Sequence, residues 1–457
     1  MTALDVPLDI HSRTAELAAA GVAGVTISWA DNNGIPRSRT VPLAALPRVA
    51  EVGVGVTALF AVFDSADAIT YAYEGLATPS GDVRLVPVLD RLVRLAGQPA
   101  LAWAPGRLVD ANGLPWPYDQ RRVLERQVAT LAETGLSALV GYEMEFAVGI
   151  DEGSGTLIPA HSGPAYSPHA LMPLDGFVAD VLRDCAANGL EIGQLHAEYG
   201  PAQMEISLAA TDPVTAADQQ LLARQTLRAA AHRHGLRLSF APLPAQAAAG
   251  NGWHVHTSLW RDGHNLLVGG PDGPGSEGPG AAYIAGLLRD LPALAAVTAP
   301  SLGSLARLRP GFFAGAFAFW GVENREAPLR YVPSSALLGD DHANVELKTS
   351  DASANPYLAL AALLAAGTAG VADGLRLPPP VAADPGTWTV EERAAHGIAA
   401  LPSTQAAQEA ALVANPRICD VLGTELLGAF LAVRRSDAAA ADGRELDDVL
   451  AGLRWRY

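Results

Sequence analysis

Two glutamates interrupt the apolar run GYEMEFAVG (residues 141–149). In a strand, residues i and i+2 share a face, so Glu143 and Glu145 stand together, opposite Tyr142, Met144 and Phe146. Like charges so placed repel one another unless a cation or a wet sheet face relieves them. The pairing recurs along the chain. HAEYGPAQMEI carries Glu198 and Glu205 on consecutive strands across a Gly-Pro turn, NGWHVHTSL carries His254 and His256 at i and i+2, and HANVELKTSD carries Glu346 with Lys348 beside it. A solvated or locally satisfied side chain explains any one of these. It does not explain five carboxylates and two imidazoles, all in strand-like contexts. Oxygen-rich sets with an imidazole suit Mg²⁺ or Mn²⁺ better than a structural zinc site, which favours thiolates or more imidazoles. Such a set can hold more than one divalent ion and bridge phosphate oxygens.

Cationic side chains follow directly. SLARLRPGFF supplies Arg307 and Arg309, and ENREAPLRYV supplies Arg325 and Arg330. Guanidinium groups hold phosphate and carboxylate bidentately. Arg309 is the one expected to pair with a surface acid instead. In DASANPYLAL the Asn-Pro step opens a helix, with Asn355 fixing its approach.

These residues need elements to hold them. Residues 8–22 read as a helix, VAGVTISWAD as a strand, NNGIP as a turn and SRTVPL as the partner strand. VGVTALFAVF, RLVPVL and PALAWAPGRLVD read as three further strands, and Gly and Pro gather at ANGLPWPYD (111–119). This predicts a small domain over residues 1–108 and a larger one over 109–457. In the larger one, QRRVLERQVATLAETG has helical periodicity and leads into the GYEMEF strand. Segments 167–189 and 211–235 read as helices, and those around 236–244 and 251–260 as strands. The strands 193–199 and 203–209 are too close for a crossover, so they must be antiparallel neighbours. GGPDGPGSEGPG (269–280) reads as a surface loop. There is no Gly-rich phosphate loop or dinucleotide fingerprint.

Bulk composition narrows the chemistry further. The 457 residues are 49% hydrophobic and carry a formal net charge of -17 with no basic stripe, which argues against nucleic acid as a partner. The two cysteines, Cys185 and Cys419, make neither a zinc spacing nor a disulfide framework, as expected in the cytoplasm. The first residues lack the basic and apolar regions of a signal peptide. The apolar run after Tyr357 reads as a buried helix rather than a membrane span.

In order and spacing these motifs resemble the glutamine synthetase family over nearly the whole chain, most strongly from GYEMEF to NPYLAL. The resemblance implies an α+β fold, in which an N-terminal β-grasp domain joins a catalytic domain with a curved antiparallel sheet. It implies a homo-oligomer, commonly a dodecamer of two hexameric rings, with active sites shared between neighbouring subunits. It also implies ATP and two or more Mg²⁺ or Mn²⁺ ions per site. Carried over, Glu145, Glu198 and Glu205 match the ligands of the metal facing the substrate carboxylate. Glu143, His254 and Glu346 match those of the metal bridging the nucleotide phosphates. His256 matches a histidine on the ATP side, Gly250 lies in the glutamate-binding segment, and Arg307 matches the arginine that holds the α-carboxylate of glutamate. Arg325 and Arg330 match those that neutralise the phosphates. The reaction so implied phosphorylates the γ-carboxylate of glutamate, after which an amine displaces phosphate.

The departures bear on the amine. The family's flap glutamate shields the intermediate and helps take a proton from ammonium. In RLRPGFFAG that place holds Phe313, which offers apolar surface and at most a cation–π contact. Lys348 stands where an arginine helps to bind phosphate, and Ala249 where an asparagine precedes Gly250. Asp64 is a candidate for the small-domain acid of the ammonium site. No tyrosine lies between Tyr357 and Tyr457, so the adenylylation loop of regulated bacterial enzymes is absent. The expectation is an ATP-dependent ligase joining glutamate to a small organic amine, with Phe313 disfavouring a long dication. Glutamine synthesis from ammonia is the alternative, and a catalytically silent ring or a hydrolase on the same fold stands behind it.

Overall fold

Residues 9–270 and 273–457 are described by a computed structural model. The helix Ile10–Ala19 leads into a small mixed sheet of β-grasp form with strands β1 (Gly24–Ala30), β2 (Pro36–Pro42), β3 (Val54–Thr57), β4 (Asp82–Pro87), β5 (Val93–Arg94) and β6 (Leu101–Val109). Its order is β2-β1-β6-β4-β3, with β1 parallel to β6 and β5 paired on β6. Val25, Ile27, Leu85, Ala102 and Ala104 fill its core. The third strand is shorter than its composition predicts. Thr57 Oγ1 accepts the Leu59 N–H at 3.3 Å and turns the chain into the 3₁₀ segment Ala58–Val62.

Among the described residues the second sheet has nine strands. They are β7 (Ser137–Ile150), β8 (Ile192–Ala197), β9 (Gln203–Thr211), β10 (Leu236–Ser239), β11 (Trp253–Arg261), β12 (His264–Asn265), β13 (Trp320–Val322), β14 (Leu329–Val332) and β15 (Asn344–Leu347). Their order is β13-β14-β15-β11-β7-β9-β8, with β10 on β7 and β12 on β11. Every pair is antiparallel except β13–β14, so the alternation of helices and strands does not build a parallel sheet here. On one face of β7, Tyr142, Met144 and Phe146 are buried, and helices cover that side of the sheet. The Gly-Pro-rich loop ends sooner than its composition suggests, because Pro279 opens the helix Pro279–Thr298. Residues 271–272 of that loop lie outside the described residues. The helices Pro279–Thr298 and Pro356–Ala372 pack against each other so closely that a Cβ at Gly286 would stand 2.3 Å from Ala366 O. Pro279–Thr298 is apolar and long enough to cross a membrane, but 83% of its apolar window is buried inside the protein.

The two sheets meet backbone to backbone. Asn355 caps Pro356–Ala372, accepting the Tyr357 and Leu358 N–H groups, while its Nδ2 donates to Ala30 O and Asp31 O. Opposite it, Gly34 sits at φ +66, and a Cβ there would lie 2.3 Å from Ala354 O. Only glycine fits.

Where the chain passes into the larger unit, Asp119 precedes the helix Gln120–Glu133 and is 5% exposed. Burial, then repulsion from Glu125, pushes its carboxyl up to about 7, against the pull of Arg121. In the unfolded chain it ionises near pH ~4, so between about pH 4 and 7 the folded state keeps a proton that the unfolded state has lost. Stability therefore falls as pH rises through that window and stays low above it. Asp119→Asn should raise the thermal unfolding midpoint at pH 8, a gain worth ~2–4 kcal/mol that shrinks towards zero at pH 4. Unfolding curves across that range would show a pH-independent gain, or none, if the buried carboxyl were not responsible.

Candidate active site

Strand register assembles the predicted site residues. Glu143 on β7 lies opposite His254 on β11, and Glu145 lies opposite Glu205 on β9. Glu205 in turn faces His196 on β8. On the other flank His256 faces Glu346 on β15, and Glu346 faces Arg330 on β14. The row runs obliquely across six neighbouring strands, from β14 to β8, on the face opposite the buried Tyr142, Met144 and Phe146.

Three groups of ligand atoms form within this row: Glu143, Glu205 and His254; Glu143, His256 and Glu346; and His196, Glu198 and Glu205. Within each group the atoms lie within 4.8 Å of one another. His254 Nδ1 is 3.5 Å from both Glu143 and Glu346, and His256 Nε2 is 3.7 Å from Glu143. These separations are long for hydrogen bonds. They match donors around one small cation, which at bond lengths of ~2.1 Å stand about 3–4 Å apart. His256 Nε2 is buried with no hydrogen-bond partner among the described residues, and its Nδ1 is 2.9 Å from Asn344 Oδ1, which orients the ring. Donor chemistry and spacing both fit hard divalent ions.

Electrostatics divides the row in two. Burial opposes ionisation of Glu143, but His254 and His256 outweigh it and hold the group far below the usual carboxylate range. Burial likewise opposes ionisation of Glu346, and Lys348, His256 and His254 bring it down to about 2. At the β8–β9 end the balance reverses. Burial and neighbouring carboxylates push Glu198 and Glu205 up, and the bond to Glu205 at 3.2 Å raises His196 to about 9. That end holds more negative charge than its surroundings satisfy, which favours a cation.

Glu145 belongs to none of the three groups. Its Oε2 accepts from Gly252 N–H (2.7 Å) and Gln203 Nε2 (3.1 Å), and its Oε1 is 3.8 Å from His254 Nε2. Gln203 also donates to Gly250 O at 2.8 Å and so ties that segment to the acid. A Cβ at Gly250 would stand 2.6 Å from Arg307 Cγ. Arg307 is buried there; its Nη2 donates to Thr349 O and Ser350 O, while Nε has no partner. Lys348 Nζ and Arg330 Nη1 both reach Glu346, at 3.4 and 2.9 Å. Arg325 stands apart, exposed on the turn before β14, with no ion pair among the described residues.

The loop after Arg307 differs from its reading in two respects. Arg309 meets no acid among the described residues; its guanidinium lies 3.9 Å over the ring of Phe312. Phe313 has φ +53, an uncommon conformation for a bulky residue, and is 61% exposed. Its N–H donates to Glu326 Oε1 at 3.2 Å. Glu326 is half-buried and raised by that burial. Asp64, the small-domain candidate, already has partners: it accepts from Ala66 and Ala68 in its own turn and from Ser436 on the helix Thr424–Ala441.

His196, Gln203, Asn344 and Glu326 were not singled out from the sequence. His196 had a signal, because HAE repeats the i, i+2 pairing seen at Glu143 and Glu145. Gln203 and Asn344 act as hydrogen-bond partners and carry no such pattern. Glu326 becomes relevant only when β14 folds back beside the 309–316 loop.

Comparison with known proteins agrees with this geometry. The profile described as "Glutamine synthetase, catalytic domain" matches residues 117–447. A "Gamma-glutamylpolyamine synthetase GlnA3" of Streptomyces coelicolor is 43% identical over 456 residues, 99% of this chain and 98% of that protein. A "Glutamine synthetase" of Clostridium saccharobutylicum is 33% identical over 361 residues, 78% of this chain and 81% of that protein. The solved structure of a "novel glutamine synthase homolog" superposes with a TM-score of 0.84 at 32% identity, covering 95% of this chain and 99% of that one.

Titration with Mn²⁺, followed by calorimetry, tests the clusters directly. Glu143→Gln and Glu205→Gln each touch two of the three groups and should weaken uptake at least about tenfold, ~1.4 kcal/mol. Wild-type affinity in both variants would remove the row as a metal site.

Proposed function

This chain belongs to the glutamine synthetase family, and we propose that within it the chain is an ATP-dependent ligase that joins the γ-carboxylate of glutamate to a polyamine or related organic amine. One observation carries the branch. Identity to the γ-glutamylpolyamine synthetase is 43% across both chains almost end to end, against 33% over four-fifths of the glutamine synthetase. On this reading Glu143, Glu145, Glu198, Glu205, His254 and Glu346 hold two or more Mg²⁺ or Mn²⁺ ions, with His196 as a further donor. Bound there, the ions supply positive charge that offsets charge on the transferring phosphoryl group. His256, Arg325, Arg330 and Lys348 serve the ATP phosphates, and Arg307, packed on Gly250, serves the α-carboxylate of glutamate.

Phosphorylation makes the γ-carbonyl electrophilic; a neutral amine nitrogen then attacks and phosphate leaves. Phe313 replaces a carboxylate at the flap, which lowers the attraction for ammonium and gives an alkylamine an apolar surface. The sequence also set Phe313 against a long dication. Glu326 answers that objection, because it brings a half-buried carboxylate to the Phe313 N–H, and Asp384 is close enough to repel it. A carboxylate beside an aromatic side chain suits a chain with one neutral and one charged nitrogen. The assembly fitting this reading is the family's two-ring dodecamer with shared sites, in the cytoplasm. The small unit of residues 1–108 then closes a site built by residues 109–457.

Phosphate release from Mg-ATP and glutamate should depend on an organic amine, with the γ-glutamyl amide identified by mass spectrometry. Release with ammonia alone would return the chain to glutamine synthesis. Phe313→Glu should raise ammonia use relative to bulky amines by about tenfold, ~1.4 kcal/mol of discrimination. Glu326→Gln should raise KM for a diamine well above any change in KM for glutamate, whereas equal changes would place Glu326 outside the amine site.

A further inference from the structure

Where the small sheet packs on the helix Pro213–Arg233, a cavity of about 120 Å³ remains. Ser28, Arg37, Ser38, Arg224, Gln225 and Arg228 supply most of its polar wall, and no carboxylate among the described residues lines it. Arg37 is already neutralised, its Nε donating to Asp31 at 2.8 Å and its Nη2 to Asp67 at 2.7 Å. Arg224 and Arg228 have no such partner. Both guanidinium groups lie over the ring of Phe240, each 5.2 Å from its centroid. Arg224 is fully buried: Nη1 donates to Gly34 O and Ala352 O, but Nε and Nη2 meet no acceptor. Arg228 is half-buried and makes no hydrogen bond or ion pair among the described residues. Burial lowers both groups, Arg224 to about 9 with Arg228 repelling it, and Arg228 to about 10.

A buried and a half-buried like charge on one ring, with open donors on Arg224 and no acid in the wall, are unfavourable as they stand. An oxyanion between them reverses that, since each guanidinium can take two oxygens of a phosphate or carboxylate. At ~30 Å³ per water, the cavity has room for about four waters, hence for a tetrahedral oxyanion or a short carboxylate but not a nucleotide. The place is separate from the row of carboxylates. Phe240 packs on Phe146 at 5.5 Å, and Phe146 is on the face of β7 opposite Glu145.

We propose that this cavity binds a small oxyanion of the phosphate or short-chain carboxylate class, held by Arg224 and Arg228 at the seam between the two sheets. Arg224 already joins Gly34 to Ala352 across that seam, so the anion fixes a residue that holds the two sheets together.

Thermal unfolding of the full chain at matched ionic strength tests this, with potassium phosphate, sulfate, glutamate or chloride added to wild type and to Arg228→Met. Phosphate released by the reaction also binds the catalytic face, but Arg228→Met keeps that site, so the difference between the two proteins reads the cavity alone. One of the oxyanions should raise the wild-type midpoint ~2–4 °C more than it raises that of Arg228→Met. Without added anion the variant should unfold no lower than wild type, because a like charge that repels Arg224 has gone. A phosphate-specific difference names a tetrahedral anion and a glutamate-specific one names a carboxylate. Arg228→Lys should retain part of the effect. Equal shifts in the two proteins, or no shift in either, would overturn the proposal whatever the outcome of the amine assays.

Discussion

The register of β7 sets both the core and the candidate site. Alternation sends Tyr142, Met144 and Phe146 under the helices and leaves Glu143 and Glu145 on the opposite face. A slip of one residue would bury two acids and expose three large apolar side chains, so the packing that stabilises the domain also fixes where the acids stand. Each neighbouring strand then adds a group at a position dictated by pairing: His254 beside Glu143, Glu205 beside Glu145, His196 beside Glu205, and Glu346 between His256 and Arg330. Compensation along the row is uneven. Glu143 and Glu346 find cationic or imidazole neighbours, whereas Glu198 and Glu205 are raised by burial and by neighbouring carboxylates, Glu145 among them. That imbalance gives a divalent ion its favourable place.

A second constraint lies where the two sheets meet. Backbone meets backbone at Gly34 and Ala354, and beside them Asn355 Nδ2 donates to Ala30 O and Asp31 O. Backbone packed on backbone leaves no room for a Cβ and no rotamer to adjust, so the turn 31–35 is held rigidly against the turn 351–355. Arg224 reinforces it from the side. Asp351 lies in that second turn, and Thr349 and Ser350 just before it hold Arg307, so the seam and the candidate substrate arginine share one stretch of chain. Strain introduced at Gly34 has a short path to the site.

Most of the site was legible because its residues follow the strand period. Glu143 and Glu145, His254 and His256, and Glu346 and Lys348 are each two apart, which is the one spacing that survives the curvature of a sheet. The antiparallel pairing of 192–197 with 203–211 followed from the short turn between them. What escaped lacked periodicity. Thr57 ended a strand through one side-chain bond, and Arg309 chose the nearest aromatic ring over an acid. Gln203, Asn344 and Glu326 owe their roles to partners between 47 and 88 residues away, or to a loop folded back on a turn. Nothing local marks them.

Glu326 shows how a change in one place alters the meaning of another. A carboxylate at the tip of the 309–316 loop would move with the loop. Glu326 instead sits on a turn pinned by Asn324, which accepts the Glu326 N–H and donates to Val381 O and Ala383 O. From there it reaches the loop through the Phe313 N–H and holds that residue in its left-handed conformation. An acid fixed to the scaffold keeps a constant distance from the carboxylate row, while one on a mobile tip closes over whatever is bound. On the proposed reading, the fixed acid favours a substrate whose charged nitrogen is a set number of bonds from its reacting one. Ammonium has no second nitrogen to place there, and so gains nothing from the arrangement.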